Sequence, residues 1–425
     1  MSAPKKTADA VTTTKKKTEA PAVVGKNELG DDFVKDLIKD LNREHQTRVA
    51  WNLGTDMSPT HVKRWVSTGS VQLDYAIANK KGGGLPEGRI IEIYGKPSIG
   101  KSHIAAQICR ACQRMGGIAV YIDTENAVNP ENLGALGVDV SKRFIYVETG
   151  CVEDTFQVMD SIITKTKAAN KDVPVVIIWD SVAATPAKAE LEAEYTQESI
   201  GLQARQLSKG FRKITQLIGN QNITLVCLNQ IRTKIGVMFG DPMTTPGGLS
   251  LPFHASTRIH LDGGTRIKNK AEELIGINVI GTVIKNKVAA PFRKVLFQIH
   301  FGKGIVEHEE LFDVVRAYCD KNTIEKDGKL LSISGKEAWK ELTVADAKTG
   351  EVLLEKKFYK ADFGAVMRDP KYRDAVMDIV DVALVKTVEQ AKEFQLDADF
   401  DENSYVGAET AETAEAAEAP PTAAE

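Results

Sequence analysis

The chain holds 425 residues with 42% hydrophobic content, enough for a sizeable core, and at about 150 residues per unit its length suggests two or three folding units. The formal net charge is −3 and no run of about 18 apolar residues occurs, so composition predicts neither a membrane span nor, by itself, nucleic-acid binding. Five scattered cysteines, Cys109, Cys112, Cys151, Cys227 and Cys319, argue against a disulfide framework and for a reducing, cytoplasmic setting.

The charge is polarised. Residues 1–24 carry five lysines against Asp9 and Glu19, and residues 397–425 carry nine acids and no base, which leaves +3 for residues 25–396. Both ends are low in apolar residues and are expected to be disordered tails. The acidic tail is read as a solvated segment or as a competitor of an anionic ligand for a basic site. Lysines at the N-terminus are followed by no apolar stretch, so no secretory signal is expected.

Residues 25–64 are expected to form an N-terminal helical segment used in oligomerisation. Within it, residues 31–42 place Phe33, Val34, Leu37, Ile38 and Leu41 on one helical face. Residues 65–309 form the predicted core. Strands are expected at 89–94, 117–122, 144–148, 174–179, 223–228, 257–262, 278–285 and 293–300, and helices at 101–115, 153–168 and 202–219. Alternation of strand and helix predicts an α/β fold with a central, mostly parallel sheet flanked by helices. The last strands follow one another without helices, which predicts an antiparallel extension at one edge. Residues 310–396 are expected to form a small, helix-rich α+β domain with a hairpin in "LTVADAKTGEVLLEKKF".

"GKPSIGKS", Gly95 to Ser102, fits G-x-x-x-x-G-K-[ST], the phosphate-cradling P-loop, with a strand before it and a helix after it. Gly95 and Gly100 let backbone N–H groups face an anion. Lys101 is placed to neutralise phosphate charge and Ser102 to ligate Mg²⁺. "VVIIWDS" ends a buried strand on Asp180, a second Mg²⁺ group. "VYIDTEN" ends another on Asp123 and Glu125. A glutamate there can orient or deprotonate an attacking water, the alternative being a cap or surface acid. Cys109-Arg110-Ala111-Cys112 is C-x-x-C in form, but with no second pair it reads as helix packing rather than zinc or redox chemistry.

Asn229 and Gln230 stand where the strand 223–228 leaves the sheet, placed to touch a γ-phosphate. The following stretch to Gly248 is rich in Gly, Pro and Thr and carries Ile235, Val237, Met238 and Phe239. It suits insertion between unstacked bases, or an ordinary lid. Arg205, Lys209, Arg212 and Lys213 form a basic helical stripe that can neutralise phosphates or simply face solvent.

These pieces, in this order, resemble the RecA recombinase family over roughly residues 65–320. The stretches that carry the likeness include "VSTGSVQLDYAIANKKGGGLPEGRIIEIYGKPSIGKS", "VYIDTENAVNP", "VVIIWDSVAATPAKAELEAE", "LNQIRTKIGVMFGDPMTTPGGLSLPFHASTRI" and "IKNKVAAPF". The resemblance implies a RecA-type P-loop ATPase core that uses ATP and Mg²⁺. It implies a helical filament on single-stranded DNA that pairs with homologous double-stranded DNA, aided by single-strand-binding and loader proteins.

Carried over, nucleotide contacts fall on Gly95, Lys96, Pro97, Ser98, Ile99, Gly100, Lys101, Ser102, His103 and Asp180. The catalytic glutamate matches Glu125 and the γ-phosphate sensor Gln230. Lys285 and Lys287 match lysines that reach the nucleotide of an adjacent subunit, and Phe253 matches an aromatic that docks into the neighbour. The two DNA loops match about 192–201 and 231–248. Ile200 and Ile235 stand at base-separating positions, and Arg205, Arg212, Arg232, Gly247 and Gly248 among the DNA contacts.

Asn129 and Asn132 replace the family's usual Asp and Tyr at the adenine, while Phe301 keeps the other aromatic contact. Pro246 and Leu249 also depart from the usual second-loop pattern. The Lys-rich N-terminal extension and the longer 320–395 region fit a divergent, phage-encoded member. The competing readings are a ring-forming motor or helicase of the same superfamily, and a DNA-coating protein that ATP merely licenses to assemble.

Overall fold

The computed structural model describes residues 31–56, 61–169, 172–194, 201–219, 221–233, 243–322, 324–335 and 339–385. Both expected tails, together with Ile200, Ile235 and most of the two loops that carry them, lie outside the described residues. The chain divides between His61 and Val62 into two units. In the first, helix α1 (Asp31–Glu44) forms where the apolar periodicity predicts it, with Phe33, Val34 and Leu37 exposed along one face.

In the second unit the elements of the core follow in chain order. They are β1 (Trp65–Val66), α2 (Val71–Ala78), β2 (Leu85–Pro86), β3 (Ile90–Gly95), α3 (Lys101–Arg114), β4 (Ile118–Asp123), α4 (Pro130–Ala135), β5 (Phe144–Glu148), α5 (Val152–Ala168) and β6 (Val175–Asp180). After these come α6 (Lys188–Glu192), α7 (Leu202–Ile218), β7 (Ile223–Gln230), β8 (Arg232–Thr233), β9 (Met243–Thr244), α8 (Ser250–His254), β10 (Thr257–Lys268), β11 (Leu274–Asn286) and β12 (Lys294–His300). The C-terminal part adds α9 (Glu307–Cys319), β13 (Ile324–Lys326), β14 (Lys329–Ser334), β15 (Trp339–Asp346), β16 (Val352–Tyr359), α10 (Phe363–Val366) and α11 (Pro370–Leu384).

Eight strands form the central sheet in the order β12-β11-β10-β3-β7-β6-β4-β5. From β10 to β5 all neighbours are parallel, and β11 and β12 extend the edge antiparallel, as the missing helices foretold. Strands β10 and β11 run further than the pattern suggests. Gly263-Gly264 looks like a strand end, but the pairing shifts register there as a bulge and continues to Lys268 opposite Leu274.

Alternation in the buried strands divides the core. Val176 and Ile178 of β6 pack on the side of α3, with Ile104 and Ile108. Val175, Ile177 and Trp179 face α5 and α7, with Met159, Leu207 and Phe211. Cys109 and Cys112 are fully buried on the α3 side, where burial pushes both thiols up, so the C-x-x-C is packing.

The C-terminal part holds more sheet than the helix-rich expectation. β13 to β16 form a four-stranded antiparallel sheet under α9 and α11, with the expected hairpin as β15 and β16. Val71 and Tyr75 of α2 belong to its core. A buried clasp reinforces the join: the Glu310 carboxylate accepts from Ser70 Oγ (2.6 Å), Val71 N (2.9 Å) and Gln72 N (3.2 Å). It thereby caps the first turn of α2 from another helix. Among the described residues no helix is long and apolar enough to cross a membrane.

Candidate functional site

Parallel register places the candidate residues together. Gly95 pairs with Gln230 across β3 and β7, and Asp123 with Asp180 across β4 and β6, so four strand tips open on one crevice. The P-loop occupies its floor. A Cβ on Gly95 would stand 2.4 Å from the Leu261 carbonyl oxygen, so only glycine lets the strand turn there. Gly100 caps α3 at φ 98° and leaves the first N–H groups of that helix facing the crevice. Lys96, Pro97 and Ser98 are exposed, and Ile99 anchors the loop in the core.

Lys101 Nζ donates to the carbonyls of Gly95 (3.1 Å) and Lys96 (2.9 Å). Burial lowers its pKa, while the carboxylates of Asp180 and Glu125 oppose the shift and favour the cation. The Oδ2 of Asp180 accepts from Ser102 Oγ (3.0 Å) and from the buried Tyr121 hydroxyl (2.6 Å). Burial is the main cause raising the Asp180 pKa, and these two donors hold it back. A hydroxyl and a carboxylate joined at the mouth of a P-loop are hard oxygen donors of the kind Mg²⁺ takes beside substrate phosphate and water.

Glu125 and Gln230, far apart in sequence, meet here. Glu125 Oε1 accepts from Gln230 Nε2 at 3.3 Å and, in a very short contact, from Ser181 Oγ. Thr124 laces the two strand tips, its N–H and hydroxyl both donating to the Asp180 carbonyl. Asp123 has a different job from Glu125. Its carboxylate accepts from the N–H groups of Glu125, Ala127 and Val128, fixing the loop that carries Glu125.

Behind Gln230 lies a buried polar network that sequence reasoning missed. Asn229 Oδ1 accepts the Gln230 N–H (3.0 Å), and Asn229 Nδ2 donates to Glu92 Oε1 (3.0 Å) and the Pro246 carbonyl (3.3 Å). The other oxygen of Glu92 accepts from Arg258, whose guanidinium also lies 4.8 Å from the centroid of the Tyr94 ring. Thus β7, the return of the second loop and β10 share one network. The only signal in the sequence was a lone acid inside "RIIEIYG".

Beside Ser102 and Asp180 the crevice opens into a cavity of about 320 Å³. Ser102, His103, Asn129, Asn132, Leu133 and Phe301 are among the residues that line it. Burial lowers the His103 pKa. Asn129 caps α4.

The stems of the loops 192–201 and 231–248 line one groove of about 420 Å³, with Gly201, Gln203, Arg232 and Gly247 in its wall. β8 and β9 close the second loop's stem, pairing Arg232 with Thr244. Gly247 and Gly248 turn with φ of 87° and 73°. On α7, Arg205, Lys209 and Arg212 are exposed, whereas Lys213 pairs with Asp160 at 2.9 Å. Phe253 is 68% exposed. Lys285 donates to the Pro252 (2.7 Å) and Phe253 (2.9 Å) carbonyls of its own chain, at the end of α8, while Lys287 is exposed.

The profile of the RecA N-terminal domain family matches residues 33–306. The proteins similar to this chain include "Protein RecA" of Staphylococcus aureus strains JH9, Newman and N315. Each is 37% identical over 305 residues, covering 72% of this chain and 82% of the relative. With the P-loop, the paired strand tips and a match of that length, the chain belongs to the RecA recombinase family.

Proposed function

We propose that the chain is an ATP-dependent recombinase that assembles into a helical filament on single-stranded DNA and pairs it with a homologous duplex. ATP would sit on the P-loop with its phosphates against Lys101, and Ser102 and Asp180 would hold Mg²⁺, which would supply positive charge beside the phosphates. Glu125 orients the attacking water. Lys285 and Lys287 complete the site of a neighbouring subunit, Phe253 docks into that neighbour, and residues 25–64 serve self-assembly. Ile200, Arg205, Arg212, Arg232, Ile235, Gly247 and Gly248 form the DNA surface. Single-strand-binding and loader proteins assist in the cytoplasm of a bacterial or phage-infected cell.

The observation that carries this reading is the hydrogen bond between Gln230 and Glu125. It joins the hydrolytic carboxylate to the residue at the root of the second DNA loop. A γ-phosphate that draws Gln230 away from Glu125 would move the loop stem through Asn229 and Pro246. ATP raises DNA affinity only to the extent that it binds the DNA-competent state better. Backbone-directed contacts leave the bases free to test a duplex.

A strand-exchange assay tests the function. With ATP and Mg²⁺, exchange is expected with a homologous duplex and not with a heterologous one. Closed rings on DNA in electron micrographs, with no exchange, would favour the motor reading instead.

A further inference from the structure

Glu125 is an exposed residue just past the end of β4, and its long side chain has no packing of its own to hold it. A carboxylate that aligns a water must not wander, because a misplacement of about 1 Å can cost about 100-fold in rate. Among the described residues two side chains donate to it, and both meet the same oxygen, Oε1. They are Gln230 Nε2 (3.3 Å) and, in the closer contact, Ser181 Oγ. An ionised carboxylate only accepts, so the serine hydroxyl is the donor.

The two donors are held very differently. Gln230 is half-buried at the root of the second loop, and the γ-phosphate reading moves it away from Glu125. Ser181 is 1% exposed and fixed through its backbone. Its N–H donates to Thr124 Oγ1 (3.1 Å), and its carbonyl accepts from Thr185 Oγ1 (2.8 Å). Thr185 Oγ1 in turn accepts from Trp179 Nε1 (3.0 Å), and both of these residues are fully buried in the core. A chain of hydrogen bonds thus runs from the core through Trp179, Thr185 and Ser181 to the Glu125 carboxylate, and chains of this kind rigidify what they hold.

We propose that Ser181 is a positioning residue for hydrolysis: its hydroxyl keeps the Glu125 carboxylate aligned for the attacking water after Gln230 has left. Both bonds use Oε1, so Oε2 is left for the water. The inference rests on the reading of Glu125 as the water-orienting group and deepens it.

ATP hydrolysis by the full chain under saturating single-stranded DNA, together with titration calorimetry of ADP and Mg²⁺, tests it. In Ser181→Ala, kcat should fall by about 10- to 100-fold, the effect of one lost charge-assisted hydrogen bond or of a slightly misplaced group. ADP affinity and the KM for ATP should stay within about threefold of wild type, because the hydroxyl serves the reacting geometry and not the ground state. Ser181→Cys fills nearly the same space with a weak donor, so it should remain close to the alanine rate. A wild-type kcat in either variant overturns the proposal, since the cysteine result would reduce Ser181 to packing. A loss of ADP affinity as large as the loss of kcat also overturns it. Glu125→Ala separates the two readings. If it turns over at the wild-type rate, the role of Glu125 falls and this inference with it. If it is slow while Ser181→Ala is not, the inference alone falls.

Discussion

Replacing Lys101 with alanine is expected to lower the rate of DNA-stimulated ATP hydrolysis by at least about 100-fold, the effect of losing one preorganised group aimed at developing charge. The ammonium is the cation at the mouth of the P-loop. Two backbone carbonyls already position it, and Asp180 and Glu125 favour its charged form. The same side chain contributes little to the core, so the thermal midpoint should move only slightly. Lys101→Arg should rescue poorly, because a planar fork does not replace a compact ammonium. Phosphate release measured under saturating single-stranded DNA decides the point. A Lys101→Ala rate within about threefold of wild type would remove Lys101 from the chemistry.

The second large effect concerns stability. Glu92 is fully buried and joins Asn229 to Arg258, which is itself only 18% exposed. Glu92→Ala takes the buried carboxylate from the Arg258 guanidinium and leaves Asn229 Nδ2 with the Pro246 carbonyl alone. Breaking a buried pair in this way costs about 3–5 kcal/mol. The denaturant midpoint of the core transition should fall accordingly, and Glu92→Gln, which retains one acceptor, should fall less. A change in Glu92→Ala within about 0.5 kcal/mol, the range of ordinary surface substitutions, would mean that the network carries no stability.

How much of this was legible in the sequence depends on the range of the interaction. Gly95, Asp180 and Gln230 were legible because each closes an apolar strand, and parallel strands bring such ends to one edge, while Lys101 was legible from the G-x-x-x-x-G-K-[ST] spacing. The helices α3, α5 and α7 were legible from their 3.6-residue period. The Glu92–Arg258 pair was not, because it needs the register of β3 against β10, which no local pattern states. Ser181 was hidden for a similar reason: its role depends on meeting Glu125 from a separate strand tip.

The C-terminal sheet was only half legible. "AKTGEV" announced the β15–β16 turn, but β13 and β14 are short and rich in lysine and serine, so their alternation was faint. Glu310 is one of three acids in the first turn of α9. Only the fold shows that it caps α2.

The central claim is that nucleotide at the P-loop sets the grip on DNA through Gln230. The direct measurement is single-stranded DNA affinity with and without a non-hydrolysable ATP analogue, in the wild type and in Gln230→Ala. The analogue is expected to tighten wild-type binding by about 5–150-fold, the usual span of allosteric coupling. In Gln230→Ala the ratio should fall to about one while analogue binding persists. A Gln230→Ala variant that keeps the wild-type ratio would contradict the account.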